Sequence, residues 1–437
     1  MKFSPTPLAA TLAALVLSSS VMAQSAATAP IDRSAFNVDV DISLILEGVY
    51  YNRMSKGNDE PAGFSSGHSH GHSHGGHDHG GHSHGFDEGF NMGHSELAFQ
   101  ARLGDFMDGT LIIGFDDSDF EVEEAYLTTR SLPAGLQVKA GKFLSDIGYI
   151  NSRHGHDWDF VDRPLVNEYL FGDHGLQEKG VQVNWLAPTA TYTRLGIEFL
   201  QGETSGVANY EGGASDLNGT SRILSDASGP RLITGFAKFA PDMGANHASQ
   251  FGVSYGYART YQVTDEHSTR FEDWDGDAWF AGVDAVYKYD AGRSYGHGDW
   301  RLAGEYFYRE IDVDRRDVNF AADGNGPVGF VRNEQSFKNK QDGMYLQAVY
   351  GIAPRWETGF RAEALGMQNR IGRGSGESLD TSYRYGAQLT FRPIEPVFLR
   401  AQLNRTDFAE AGHGRDSGLE FMLQLNVALG AHGAHTF

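Results

Sequence analysis

The chain has 437 residues, a formal net charge of −22 and no cysteine, so disulfide bonds and thiolate metal sites are excluded. A polyanion of this kind repels nucleic acid and attracts cations, and no nucleic-acid partner is expected. The 55 glycines and 12% aromatic residues, with only 40% hydrophobic residues, favour a barrel with one apolar face toward lipid and one polar face toward water.

Residues 1–23 predict a secretory signal peptide that is cleaved. Lys2 supplies a positive end, Leu8–Leu17 is an apolar run, and the Val-Met-Ala sequence before Gln24 is a small-residue cleavage site. Residues 24–37 are expected to form a polar periplasmic leader. No later stretch approaches eighteen uninterrupted apolar residues, which excludes an α-helical membrane protein.

Period-two alternation begins at residue 38 and returns along the chain. In the first segment Val40, Ile42 and Leu46 fall on one face, and Asp39 and Glu47 fall on the other, which is typical of a strand. Such segments are predicted near 38–51, 94–104, 109–115, 121–131, 135–143, 179–187, 191–202, 231–240, 248–260, 278–289, 300–311, 343–352, 356–365, 382–392, 397–406 and 418–430. The sequence therefore predicts an all-β fold, a transmembrane antiparallel β-barrel of about 16 strands over residues 38–437.

The connections between these segments alternate in length. Short turns are predicted at 104–109, 132–135, 188–190, 353–355 and 393–396, and long loops at 57–93, 144–178, 203–230, 312–342 and 366–381. Outer-membrane barrels have short periplasmic turns and long extracellular loops. Because an even number of strands leaves both termini in the periplasm, we expect loop 57–93 on the extracellular face of a bacterial outer membrane.

Residues 67–85, in the first long loop, form a histidine ribbon in which small residues separate the imidazoles. Its candidate metal ligands are His68, His70, His72, His74, His77, Asp78, His79, His82 and His84. Neutral imidazole binds zinc, copper and nickel, and glycine lets the chain fold back so that several rings converge. The ribbon is predicted to collect divalent metal, zinc first and nickel or copper as alternatives. The competing interpretation is a solvated low-complexity loop.

The loop at 144–178 is the second candidate site. By analogy with sixteen-stranded general porins, a loop at this position is expected to fold into the lumen and constrict it. It carries His154, His156, Asp157 and His174, a mixture of imidazoles and carboxylate that can hold a divalent cation. The alternative interpretation is an ordinary turn-rich loop whose aromatic residues pack against the wall.

The later strands are predicted to place charges of both signs in the lumen. The basic residues are Arg301, Arg309, Arg361, Arg384, Arg392 and Arg400, and the acidic residues are Asp284, Glu305, Glu357 and Glu363. A mixture of this kind does not select cations by itself. A general or anion-preferring porin with an incidental histidine loop is therefore an alternative function.

Three segments resemble a known family: DISLILEGVYYN at 41–52, VEEAYLTTRSLPAGLQVKAGKFLSDIGYIN at 122–151 and RHGHDWDFVDRPL at 153–165. They are similar to porin-like outer-membrane proteins often labelled zinc-regulated or TonB-dependent outer-membrane receptors. The strand-turn-strand ending in AGKF more distantly resembles phosphate-selective porins. The resemblance implies an outer-membrane β-barrel, and the terminal Phe437 matches the aromatic residue that barrel-assembly machinery reads in such proteins.

These features together predict an outer-membrane, porin-like channel for uptake of divalent metal, most of all zinc. The expected partners are metal ions, outer-membrane lipid and lipopolysaccharide, the barrel-assembly machinery and, by analogy with porins, further copies of the chain in a homotrimer. No nucleophile elbow, zinc-protease motif or cysteine nucleophile occurs, so no enzymatic activity is expected. A surface metal sink or adhesin on a closed barrel is the remaining alternative.

Overall fold

The computed structural model describes residues 38–430 apart from 59, 65–85, 118–119, 205, 213–219, 221, 373–375, 411 and 413. The described strands are β1 (Val38–Ser55), β2 (Gly89–Met92), β3 (Ser95–Leu103), β4 (Met107–Phe115), β5 (Phe120–Thr129), β6 (Leu136–Leu144), β7 (Gln177–Leu186), β8 (Tyr192–Leu200), β9 (Leu232–Ala240), β10 (His247–Glu266), β11 (Arg270–Tyr289), β12 (Trp300–Asn319), β13 (Val331–Ala353), β14 (Trp356–Ile371), β15 (Glu377–Ser378), β16 (Ser382–Ile394), β17 (Val397–Glu410) and β18 (Gly414–Gly430). The described helical elements are α1 (Leu165–Phe171) and 3₁₀ turns at Pro133–Gly135, Gly155–Asp157 and Ser294–Gly296.

The strands form one closed antiparallel barrel. β1 closes it, because β1 pairs with β18, where Ser43 lies opposite Gly430, and also with β3, where Ile45 lies opposite Glu96. The short β2 pairs with β1 beyond the end of β3, and the short β15 pairs with β14 beyond the end of β16. Each short strand therefore continues a longer one, and the wall has 16 strands. The predicted fold class is confirmed.

The alternating sequence of each strand divides its side chains between two environments. On β12, Leu302 points outward and is exposed, whereas Glu305 and Phe307 point inward and are buried. Exposed apolar side chains recur on the outer face of other strands, among them Val40, Ile42, Leu195, Ile197, Val253, Val283, Leu346, Leu389 and Leu425. A bilayer requires such an apolar outer face, because lipid tails cannot hydrate polar groups. We therefore treat the wall strands as membrane-spanning.

Replacing Val253 with arginine should destabilise the inserted barrel by about 2–4 kcal/mol, the cost of a lipid-facing cation near the bilayer centre. Val253 is 54% exposed on the outer face of β10, between Ala237 of β9 and Val283 of β11. Urea titration in phospholipid vesicles measures the free energy of unfolding. Val253→Leu keeps the outer face apolar and should change that free energy by less than about 0.5 kcal/mol. A Val253→Arg barrel as stable as the wild type would contradict a lipid-facing position.

Strands β10 to β14 are longer than predicted, at 16 to 23 residues. The predicted bounds of loop 312–342 are wrong, because the connection between β12 and β13 covers only residues 320–330. The predicted start of loop 366–381 is also wrong, because β14 continues to Ile371. The added parts carry cross-strand ion pairs such as Arg270 with Asp317, 2.8 Å apart. Hydrophobic alternation marks only the part of a strand that faces lipid. Backbone pairing continues where both faces are polar, and alternation does not detect it.

Residues 145–176, which connect β6 to β7, lie inside the barrel, and we name them the inner segment. Their helix α1 ends where Gly172 adopts a φ of 87°, a left-handed conformation suited to glycine. Phe171 of α1 packs edge-on against Phe280 and Phe307 of the wall, with ring centroids 5.1 and 4.9 Å apart. Among the described residues, no helix is long and apolar enough to cross a membrane.

Candidate metal centre

Two consecutive glutamates of β5 both point into the barrel. In a regular strand Glu123 and Glu124 would face opposite sides of the wall. A β-bulge prevents this, because Ile112 of β4 pairs with Glu124 and Ile113 pairs with Val122, which leaves Glu123 as the extra residue. Both glutamates are buried. The bulge thus delivers two carboxylates to the lumen where an ordinary strand would deliver one.

The residue before β3 is a histidine, and the start of β3 supplies a third glutamate. His94 and Glu96 are two residues apart in an extended stretch, so their side chains reach the same side of the wall. Gly93 holds this stretch against β1, since its backbone N–H donates to the carbonyl oxygen of Glu47 (2.9 Å). A Cβ at Gly93 would clash with the Glu47 side chain, so a larger residue there would displace that side chain. Glu96 is almost completely buried, with 1% of its surface exposed.

The inner segment brings two more histidines to these carboxylates. Asn151 ties the ends of the segment together, because its side-chain amide donates to the backbone oxygens of Ser145 (2.8 Å) and Leu176 (3.1 Å). A single 3₁₀ turn then places His154 and His156 against the wall. Their rings stack, with centroids 5.9 Å apart and planes 15° from parallel.

Four side chains form a compact group that we name the lumen centre: His94, Glu96, Glu123 and His154. Their ligand atoms all lie within 4.8 Å of one another. His94 Nε2 lies 2.6 Å from Glu123 Oε1, and His154 Nδ1 lies 3.2 Å from Glu96 Oε1. Imidazole nitrogen and carboxylate oxygen are zinc ligands, and a tetrahedral zinc ion separates its ligand atoms by roughly 3.3 Å. The lumen centre therefore has the donor types, number and approximate spacing that such an ion requires.

Further polar side chains border the lumen centre. Glu124 Oε2 lies 3.1 Å from His154 Nε2, on the side of the ring away from the centre. His156 Nδ1 lies 3.1 Å from Glu96 Oε1, and its Nε2 lies 3.7 Å from Asp157 Oδ1. Carboxylates and imidazoles thus alternate from β5 across the lumen centre to the inner segment.

The carboxylates control the charge of the histidines. Burial disfavours a charged imidazole and is the strongest single influence on the pKa of His154, but Glu96, Glu123 and Glu124 together outweigh it and raise that pKa well above its usual value. Burial likewise opposes charge on His94, and Glu123 with Glu96 raises its pKa. The lumen centre therefore favours positive charge, which protons or a metal cation can provide.

The structure places the candidate ligands predicted from sequence in three different environments. His154 lies in the lumen centre, His156 and Asp157 border it, and His174 is exposed and outside it. The ribbon candidates lie outside the described residues: His68, His70, His72, His74, His77, Asp78, His79, His82 and His84. Metal binding by the ribbon stays a prediction.

Sequence reasoning missed most of the lumen centre and its border, namely His94, Glu96, Glu123 and Glu124. Taken alone, His94 is only a histidine beside a long loop. The detectable signal is the His-x-Glu pattern at 94–96, since residues two apart in a strand share a face. The consecutive glutamates of β5 carry no such signal, because alternation predicts only one of them in the lumen.

Acidic residues of the inner segment neutralise arginines of the lumen wall. Asp162 accepts a hydrogen bond from Arg361 (2.5 Å) and forms an ion pair with Arg384 (2.9 Å). Asp159 lies 2.8 Å from Arg301. These arginines face the lumen as predicted, and their pairing holds the inner segment in place.

Sequence comparison shows one extended likeness. No family model matches the chain. An uncharacterized protein of Aquifex aeolicus (strain VF5) is 34% identical over 405 residues, which cover 91% of this chain and 80% of that protein.

Two solved structures are similar in fold. The outer membrane channel DcaP of Acinetobacter baumannii matches with a TM-score of 0.52 at 12% identity, over 91% of this chain and 99% of that one. OmpT, an outer membrane protein of Vibrio cholerae, matches in its trimer form with a TM-score of 0.50 at 11% identity, over 90% of this chain and all of that one. At these identities the likeness shows the fold alone. The zinc-regulated and TonB-dependent receptor labels are not confirmed.

Proposed function

We propose that this chain, which belongs to the same family as the uncharacterized Aquifex aeolicus protein, is a porin-like channel of the outer membrane for divalent metal ions, zinc in particular. The observation that carries the proposal is the lumen centre, in which two imidazoles and two carboxylates converge inside a membrane-spanning barrel. The shared fold with the outer membrane channel DcaP supports the channel part of the proposal.

In this proposal the metal ion is cargo. The net charge of −22 and the buried carboxylates attract hydrated cations toward the lumen. At the lumen centre, imidazole nitrogens replace part of the hydration shell of the ion, which distinguishes zinc from magnesium or calcium because those ions prefer oxygen ligands.

The histidine ribbon is proposed to collect metal at the extracellular mouth. Described residues on either side of the ribbon support this position. Phe64, before the ribbon, packs against Tyr169 of α1 with ring centroids 6.1 Å apart. Phe86, after it, packs against Tyr51 of β1 with ring centroids 6.4 Å apart. The two residues that these phenylalanines contact, Tyr169 of the inner segment and Tyr51 of the wall, both border the lumen.

Lipid contacts and self-association belong to the same proposal. The exposed apolar outer face would contact outer-membrane lipid and lipopolysaccharide. A homotrimer is proposed because the Vibrio cholerae protein of similar fold is described in a trimer form.

Replacing His154 with alanine should lower zinc permeability relative to potassium by about tenfold or more, since it removes one of the four ligands of the lumen centre. Reversal potentials across planar bilayers, with zinc on one side and potassium on the other, measure this ratio. The matched control is His174→Ala, which removes an exposed histidine of the same inner segment and should leave the ratio unchanged. An unchanged ratio in His154→Ala would overturn the proposal.

A second candidate function, a general or anion-preferring porin, is favoured by Arg400. Its buried guanidinium donates to Thr390 Oγ1 and Gln424 Oε1, each at 3.1 Å, and the described residues place no carboxylate within ion-pair distance of it. Arg392 stacks on the same ring as Arg400, that of Phe398. The reversal potential in a potassium chloride gradient has opposite signs for cation and anion preference.

A closed barrel that only binds metal at the surface would give almost no single-channel conductance in the same bilayers.

A further inference from the structure

Both ring nitrogens of His154 face carboxylates, on opposite edges of the imidazole. Nδ1 points into the lumen centre, 3.2 Å from Glu96 Oε1 and 3.3 Å from Glu123 Oε2. Nε2 points away from it, 3.1 Å from Glu124 Oε2. A neutral imidazole that binds a metal through one nitrogen carries its proton on the other, and a hydrogen bond from that N–H fixes the tautomer and the ring orientation.

Glu124 is held where such a hydrogen bond can form. Its second oxygen, Oε1, accepts the backbone N–H of Leu144 at 2.8 Å, at the end of β6. The carboxylate is buried, with 6% of its surface exposed, so it cannot exchange this arrangement for solvation by bulk water. One oxygen of Glu124 is therefore fixed by the backbone, and the other is directed at His154 Nε2.

A parallel arrangement exists at Glu96, the carboxylate at the middle of the lumen centre. His156 Nδ1 lies 3.1 Å from Glu96 Oε1, and Asp157 Oδ1 lies 3.7 Å from the opposite nitrogen of His156. His156 is predicted from sequence as a ligand. In the structure it lies beside Glu96, where it can orient that carboxylate.

We propose that Glu124 and His156 are positioning residues of the metal centre. Glu124 accepts the Nε2–H of His154 so that Nδ1 binds the metal, and His156 orients Glu96. The inference rests on the proposed function, because it requires a metal ion at the lumen centre. It also assigns a purpose to the bulge in β5, since the bulge lets consecutive residues supply one ligand, Glu123, and one positioning carboxylate.

The test measures the zinc affinity of the full-length barrel in detergent by competition with a chromophoric chelator. The parent protein for this test has the eight ribbon histidines replaced by serine, so that zinc bound by the ribbon does not contribute to the signal. Glu124→Gln should weaken zinc binding by about 10–100-fold, the usual effect of losing a partner of a metal-bound histidine. Glu124→Ala should weaken it further, because alanine also removes the acceptor oxygen. The matched control is Glu121→Gln on the same strand, an exposed glutamate paired with Lys142, which should bind like the parent.

A second measurement separates positioning from a merely structural role. Nitrogen-15 NMR of histidine side chains in the cadmium-loaded barrel should show cadmium coupling at Nδ1 of His154 and a proton on Nε2. Coupling at Nε2 would overturn the inference. A structural role alone would lower the thermal stability of metal-free Glu124→Gln and leave its zinc affinity unchanged, and that result would also overturn it.

The two proposals fail in different ways. If the parent barrel without ribbon histidines does not bind zinc at all, the proposed function fails. If that parent binds zinc and Glu124→Gln binds it equally well, only the positioning role fails.

Discussion

A barrel carrying Glu96→Gln should bind zinc in the lumen at least about a hundredfold more weakly than the wild type, a loss of about 2.7 kcal/mol of binding free energy. Glu96 Oε1 lies 3.7 Å from His94 Nε2, 3.2 Å from His154 Nδ1 and 3.1 Å from His156 Nδ1. Glutamine keeps the volume of the side chain but removes its negative charge and replaces one carboxylate oxygen by an amide NH2 group, which donates hydrogen bonds and cannot bind a metal. One substitution thus replaces an anionic ligand by a weaker neutral one with a single acceptor oxygen.

Chelator competition on the full chain with the ribbon histidines replaced by serine measures this affinity. Glu88→Gln is the control, because Glu88 is exposed, lies outside the lumen centre, and accepts hydrogen bonds from the side chain of Asn52 and the backbone N–H of Arg53. It should bind zinc like the parent. If Glu96→Gln retained the affinity of the parent, zinc would have to bind elsewhere, and the lumen centre would lose its proposed role.

Removing the Asp162 carboxylate should destabilise the inner segment by about 3–5 kcal/mol, the usual effect of breaking a buried ion pair from one side. Asp162 is buried between the guanidinium groups of Arg361 and Arg384, whose side chains are 1% exposed. After Asp162→Ala, Glu363 is the carboxylate that remains within 2.7 Å of both arginines. Two buried positive charges would then share Glu363, with Glu168 Oε2 3.9 Å from Arg384 as the second nearby carboxylate.

Two measurements check this prediction. Urea titration in vesicles should show the lower free energy of unfolding, and single-channel conductance should rise because the inner segment loses one of its attachments to the wall. Asp162→Asn keeps the shape of the side chain and one acceptor oxygen, so it should lower the free energy of unfolding by less. This variant is measured in place of Asp162→Ala if the alanine variant does not fold. The control is Asp173→Asn, an exposed position of the same segment. Wild-type stability and conductance in both Asp162 variants would contradict this account of the inner segment.

Much of the barrel could be predicted from the sequence because lipid imposes a simple rule on every wall strand. Outward residues such as Val253 and Leu302 must be apolar and inward residues such as Glu305 are free to be polar, so alternation marks each crossing. The same rule does not apply beyond the membrane. There the paired strands β10 to β14 continue with charged residues on both faces, and the predicted loop bounds were wrong for that reason.

The candidate site was predictable only in part. His154 could be found because it lies in a histidine- and aspartate-rich stretch whose composition indicates metal chemistry. His94 was missed because it is a single histidine at a loop boundary, and its one signal is the two-residue spacing to Glu96. Glu123 and Glu124 could not be assigned together to the lumen, since only a bulge makes two consecutive side chains face one side.

The sequence by itself determined the class of fold, the number of wall strands and the chemistry concentrated at the histidine ribbon and the inner segment. These properties are local, because alternation and composition are set by neighbouring residues and by the lipid or water that they face. Only the tertiary structure decided the lumen centre. Its ligands come from β3 and the stretch before it, from β5 and from the inner segment, and barrel closure, the bulge and the inward fold of residues 145–176 bring them within 4.8 Å. The physical reason is that convergence in space depends on backbone pairing between distant segments, which leaves no periodic mark in the sequence.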